Sequence, residues 1–343
     1  MDIQNHFYGH SAALALAAGL RRPRHLPGLL QHGWTTASPA LVHAHDFPQV
    51  GVDPRWTMFV WSHRSRGWSP ATESRRTVAI GSPFLYLDRA ARAAGWQPEG
   101  MGPTLWIPFH GTRLLRVRGD HAQLAREAFD REGACTVCLH VEDAADPEIV
   151  AAWAAPGHRL VTAGRRNEPE FLARILGLIG AARRVASNRL STAIMYAAAV
   201  GTEVAVYGPP LAFTGQEVHS LDEIGDLWPE FHGDTTSAAK TRAAADDELG
   251  AAALLPAAEL RAALGWDQPL STRAAVYYWT GSSLRKAATV LGVAKRSDPA
   301  SFDVSAVSPL TFLRHPLAHL PAPLPRRLPQ VPGLAEAIPV RHG

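Results

Sequence analysis

Cysteine is nearly absent. Cys135 and Cys138 are the only two in 343 residues. That excludes a disulfide-built scaffold, and also a four-cysteine zinc site, which needs a second C-x-x-C pair. Their surroundings, "ACTVCLH", are apolar and β-branched, so both read as buried strand residues of a chain kept in a reducing compartment. Long apolar runs are missing too: no stretch approaches the roughly 20 residues that cross a bilayer. The first twenty residues, "MDIQNHFYGHSAALALAAGL", lack the basic start and cleavage site of a secretion signal. Charged residues make up 19% and hydrophobic ones 46%, which argues for buried cores and against disorder. A net charge of +3 suits anionic ligands or the inner face of a membrane. It is too small to imply nucleic acid, and no basic–aromatic RNA motif is present. A soluble, cytoplasmic chain is expected. No Asp-x-Asp pair lies at a strand end, so no metal and no cofactor are expected in the chemistry.

Histidine, by contrast, is plentiful at 16 residues, a reserve of groups that titrate near neutral pH. From about residue 10 to residue 210, short apolar runs alternate with helical segments. "SAALALAAGL" reads as a helix, "LPGLLQH", "WTMFVWSH" and "RTVAIGSP" as strands, and "FLYLDRAARAAG" as a helix stopped by Gly95. Residues 97–103, "QPEGMGP", read as a linker. A second series then alternates the strands of "TLWIPFHGT", "ACTVCLHV", "HRLVTAG", "RVAS" and "EVAVYGPP" with four helices. Such alternation predicts a doubly wound parallel sheet. The expected fold is α/β: two Rossmann-like domains, 1–96 and 103–235, facing across a cleft. Helices follow over 236–300, read from "AAADDELGAAALLPAAELRAALGW" (243–266) and "SLRKAATVLGVAKR", and a Pro-rich extended tail without regular structure over 301–343. The first domain is short, so it is expected to be small or to lean on the C-terminal helices.

Ligands of open α/β sheets bind outside the carboxyl ends of the strands, and polar residues collect at those places here. His32 ends the strand in "LPGLLQHGWTTASPA". His110, Gly111, Thr112 and Arg113 follow "LWIPF", and His140 ends "CTVCL". Asn188, Arg189, Ser191 and Thr192 precede the helix "AIMYAAAVG". A helix N-terminus offers unpaired N–H groups and a partial positive charge, the elements of a phosphate seat. Each position also has a plainer reading: His32 as a turn residue at a strand edge, Ser191 as a helix cap. His10, in "NHFYGHSAAL", either reaches the cleft or caps a turn. His43, His45 and Asp46 have metal-ligand residue types, but read more simply as a polar loop.

The order of these motifs resembles bacterial CDP-glycerol glycerophosphotransferases of teichoic acid synthesis. More loosely, it resembles bacterial sialyltransferases and capsule glycosyltransferases with the GT-B architecture. "LQHGWT" is similar to the Trp-His-Gly loop that carries a histidine base, with His32 in its place. "VAIGSPFLYLDRA" matches the Gly-x-Pro strand end, and "LWIPFHGTR" is similar to a Pro-Thr-x-Arg strand end. "CLHV" keeps the histidine of a His-Pro strand end, and "SNRLSTAIMYAAAVGTEVAVYG" looks like the Ser-Ser helix, with Ser191 and Thr192 at the paired hydroxyls. The likeness covers roughly residues 25–210. Arg189 stands where the family has an aspartate, Tyr196 near an acidic helix position, and Val141 in place of a proline.

The resemblance implies transfer from a nucleotide-activated donor. Such a reaction needs a base for the acceptor hydroxyl and positive charge for the departing phosphate. The expected division gives catalysis to His32, with His140 and His10. Donor phosphate binding falls to His110, Thr112, Arg113, Asn188, Arg189, Ser191 and Thr192. The partners are then a nucleotide-sugar and a glycan or small-molecule acceptor. Glycosyl transfer is the leading expectation, and glycerophosphate transfer stands beside it. A nucleotide-sugar 2-epimerase would need cleft carboxylates that the sequence does not offer. A binding relative without catalysis fits the missing aspartate at Arg189.

Overall fold

The apolar runs form two parallel sheets in a computed structural model. It describes residues 3–43, 55–69, 75–110, 117–213, 219–232, 237–269 and 324–339, with single positions between 272 and 293. The first unit opens with a 3-10 segment (Ile3–Gly9) and α1 (His10–Ala17). It continues through β1 (Leu29–Leu30), α2 (Pro39–His43), β2 (Met58–Val60), β3 (Thr77–Ala79) and α3 (Pro83–Ala93). Its three strands pair in parallel in chain order. β1 and β2 are fully buried, as a parallel strand covered on both faces must be. Ser82 starts α3 by accepting the Phe84 N–H, and Pro83 stands in the first turn, where no donor is lost.

The second unit runs β4 (Leu105–Trp106), β5 (Val117–Arg118), α4 (His121–Glu132), β6 (Thr136–Cys138), α5 (Pro147–Ala154) and β7 (Arg159–Thr162). It goes on through α6 (Phe171–Ala181), β8 (Arg184–Ser187), α7 (Thr192–Val200), β9 (Glu203–Val206) and β10 (Ala212–Phe213). Aspartates cap α4 and α5, and Gly201 ends α7 with a left-handed φ of 90°. β5 and β10 form a small antiparallel ribbon. Three further helices follow: α8 (Leu221–Leu227), α9 (Ala238–Leu249) and α10 (Ala257–Ala263). The main sheet has the order β11-β7-β6-β4-β8-β9, with β11 formed by Glu336–Ala337. Counted along the chain from β4, its five parallel strands read 3-2-1-4-5. This is the Rossmann order, and it reverses direction between β4 and β8.

The core does not stop at residues 97–103. One buried cluster joins Ala13 of α1 and Phe84 and Leu87 of α3 to Leu172 and Leu176 of α6, Ile194 and Tyr196 of α7, and Ala245 and Leu249 of α9. Gly250, at a φ of 72°, ends α9 where an added Cβ would fall 1.9 Å from the Trp61 carbonyl oxygen. The segment expected to be a linker runs straight into the sheet: the Gly102 N–H bonds the Ala181 carbonyl at 2.8 Å.

Two expectations need correction. The tail is not without regular structure, since Glu336 and Ala337 pair antiparallel with Thr162 and Val161 of β7. Pro332 precedes this pair and Pro339 follows it, so both of its backbone N–H groups remain for the ladder. The single helix read over 243–266 is broken: Gly250 and Pro256 split it into α9 and α10. The helix expected over 283–296 lies outside the described residues apart from single positions. Among the described residues, no helix is long and apolar enough to cross a membrane.

Candidate functional site

β1 stops at Gln31 because the next residues form a pinned turn. The Gln31 amide accepts the Trp61 N–H at 2.8 Å and donates to the Gly33 carbonyl at 2.8 Å. His43 reaches the same carbonyl through Nε2 at 3.1 Å. A carbonyl only accepts, so the proton of His43 sits on Nε2. The Trp34 N–H donates to Thr192 Oγ1 at 3.0 Å, and a Cβ on Gly33 would lie 3.1 Å from that oxygen. The turn after β1 therefore rests on the first residue of α7, although 158 residues separate Trp34 from Thr192.

Behind the turn stands Glu248 of α9, 2% exposed. Its carboxylate accepts from the Trp34 indole at 2.7 Å, Ser65 Oγ at 2.6 Å, the Arg66 N–H at 2.9 Å and the Trp228 indole at 3.0 Å. Four neutral donors from three loops hold one buried charge, a costly group that stays only because each oxygen is satisfied. This clamp sets the position of the loop that carries His32.

His32 is 9% exposed and lies against Phe7 (ring centroids 6.0 Å) and His43 (5.6 Å). His10, at the start of α1, is 1% exposed, 5.9 Å from Trp61, and hydrogen-bonds through neither ring nitrogen. Burial holds its pKa well below the ordinary value, and His32 and His43 push the same way. Farther along, His6 bonds Ser11 Oγ at 2.7 Å. Burial lowers its pKa to about 3, with help from His25. Burial thus keeps His6 and His10 neutral near pH 7.

In the second unit the strand ends converge as the topology demands. Phe109 and His110 leave β4, and Asn188 and Arg189 leave β8, on either side of the switch point. The Asn188 side chain accepts the Phe109 N–H at 2.8 Å and donates to the Pro209 carbonyl at 3.3 Å. The Arg189 guanidinium lies 4.6 Å over the Phe109 ring. His110 and His140 stack face to face, 4.3 Å apart and 3° from parallel. Ser191 caps α7 without a side-chain hydrogen bond, its Oγ buried and unpartnered.

Several expected roles change. His140 does not supply charge: burial, then His110 and Arg166, lower its pKa to about 3, so it is neutral near pH 7 and acts only through hydrogen bonds. His10 is 1% exposed, with the Tyr8 and Trp61 rings against it. Asn188 ties two loops together through backbone groups. Thr192 accepts from Trp34 and keeps its hydroxyl proton to donate. Thr112 and Arg113 lie outside the described residues, as do His45 and Asp46. Among the described residues, no group of three or more His, Cys, Asp or Glu is placed to hold a metal. Cys135 and Cys138 are buried, and burial pushes both thiols up to about 12.

Sequence reasoning missed Gln31, Glu248 and Arg166. Gln31 left a trace, a polar residue inside an apolar run. Glu248 stands beside two aspartates in "AAADDELG" and reads as part of a solvated helix face. A cavity of about 160 Å³ opens beside the switch point, lined by Asn188, Arg189, Leu221 and His232 among others. A larger one, about 480 Å³, lies beyond Tyr207, with Glu127 and Asp130 at its rim. Comparison with protein-family models, curated proteins and solved structures found no match.

Proposed function

We propose that the chain transfers a sugar from a nucleotide-activated donor to an acceptor hydroxyl, on two Rossmann-like units arranged as in GT-B enzymes. The observation that carries this reading is the contact of the His32 turn with Thr192, at the switch point of the six-stranded sheet. In this reading the loop that carries the base meets a helix N-terminus there. In this reading His32 takes the proton of the acceptor hydroxyl as the glycosidic bond forms. The departing phosphate gathers the Ser191 hydroxyl, the Thr192 hydroxyl and the first N–H groups of α7. The nucleotide lies toward the cavity beside Asn188 and His232. Units 1–96 and 103–235 then serve the acceptor and the donor.

One observation favours a second reading. Arg189 stands where the resembling family has a carboxylate and is stacked on Phe109, so a nucleotide-sugar-binding protein without catalysis fits the same geometry. Titration with CMP-, CDP-, UDP-, GDP- and TDP-sugars tests both. Binding of one of them, with release of the nucleotide when an acceptor is added, is the expected result. Binding with no release at any acceptor supports the second reading. Failure of all five to bind overturns both.

A further inference from the structure

The loop after β7 carries a cation that neither the sequence motifs nor the transfer reading uses. β7, β6, β4 and β8 are neighbours in that order, and past their carboxyl ends stand Arg166, His140, His110 and Arg189. Arg166 is exposed, and its guanidinium lies 4.4 Å over the Phe7 ring. Phe7 in turn backs onto His32. It is also near enough to His140 to act on it electrostatically.

Three features mark this arginine as built for an anion. First, among the described residues it has no carboxylate partner. Glu168, on its own loop, is committed to Arg174 at 2.6 Å and to the Arg165 N–H at 3.1 Å. Second, the contact is with an aromatic ring, which holds the guanidinium without taking an oxygen acceptor's place, so its N–H donors can pair with phosphate oxygens. Third, the loop is anchored at a conformational cost. The Tyr8 N–H donates to the Arg166 carbonyl, and Tyr8 adopts a φ of 56°, a left-handed backbone that a tyrosine rarely takes. Gly9 follows at 73°, where an added Cβ would fall 2.6 Å from the Pro169 carbonyl oxygen. The hook formed by Tyr8 and Gly9 fastens the loop of Arg166 to the unit that carries His32.

We propose that Arg166 is an anion-binding residue whose guanidinium edge takes a diphosphate lying between Phe7 and the stacked His110–His140 pair. That the diphosphate belongs to an activated sugar rests on the transferase reading; the anion site does not. Calorimetric titration with inorganic pyrophosphate tests it on the full chain. The wild type binds, Arg166→Ala weakens binding tenfold or more, and Arg165→Ala, one residue away, changes it less than twofold. Thermal unfolding shows whether each variant is folded, and Arg166→Lys, which keeps the charge, replaces the alanine variant if that one fails. The proposal is overturned if pyrophosphate does not bind the wild type, if Arg166→Ala binds equally well, or if Arg165→Ala loses as much. The same variants with the nucleotide-sugar panel separate the two ideas. A panel member that binds wild type and Arg166→Ala alike leaves the transferase reading standing and removes this one. Pyrophosphate bound through Arg166 when no panel member binds does the reverse.

Discussion

The two units set their histidines in different surroundings. In the first, His6, His10 and His32 are at most 9% exposed and stand among aromatic rings. In the second, His110 and His140 are half-buried at strand ends, with Arg166 and Arg189 nearby on an open edge. Burial keeps His6 and His10 of the first unit neutral near pH 7, and it does the same to His140 of the second. What differs is the fixed positive charge of Arg166 and Arg189, which the second unit sets beside its strand ends, where an anion can approach.

The comparison breaks most sharply at Glu248. Glu248→Ala leaves two indoles, a hydroxyl and a backbone N–H without an acceptor, and lets water reach the wall behind the His32 turn. At about 1–3 kcal/mol for each buried donor, partly relieved by that water, the expected loss is about 4 kcal/mol, read by denaturant unfolding. A loss below about 1 kcal/mol would mean that the clamp is wet already.

Next comes His32 itself. In the transferase reading, His32→Ala lowers turnover about a hundredfold or more while donor affinity and thermal midpoint stay put. The plain turn reading expects the opposite: lost stability, with activity per folded molecule intact. Measuring all three on one preparation decides between them.

Acid acts on many groups at once rather than on one residue. Burial lowers the pKa of His6, His10, His25, His121, His140 and His158 in the folded chain. The unfolded chain therefore binds more protons than the native one below pH 6.5. The stability these groups lend is complete above that pH and drains as pH falls toward about 3. His6 alone, lowered to about 3, accounts for about 2 kcal/mol by pH 5. Asp143, pushed up to about 6 by burial, opposes the trend, since its own penalty is relieved as it protonates. Hydrogen exchange at pH 7 and pH 5 sharpens the contrast: α1 and β1 should lose protection before β6 and β8. Equal loss in both units would erase the distinction.

The strand–helix alternation and the polar strand ends were legible because they are local: apolar runs bounded by Gly, Pro and capping residues. That alternation predicted a doubly wound sheet; the 3-2-1-4-5 order, which brings Phe109–His110 beside Asn188–Arg189, is set by strand pairing and was not read from it. The clamp was not legible. Glu248 is recognised only by what meets it, and Trp34 lies 214 residues away. His10 offered a capping turn and a cleft residue as equal readings; its enclosure by Tyr8 and Trp61 is decided by tertiary packing alone. Arg166, in "AGRRNEPE", looks like any charged loop until Phe7 is found beneath it.

The strand at Glu336–Ala337 has a consequence for the chain outside its chemistry. It lies along β7, whose Leu160 and Val161 are buried, and Arg174 holds Glu336 at 2.8 Å to keep it there. Without that strand the sheet ends in an apolar ladder of unanswered N–H and C=O groups, a template on which a second molecule could continue the sheet. The proline-rich segment is thus a guard against aggregation, and a chain cut before residue 324 would be less soluble even with every residue around His32 in place.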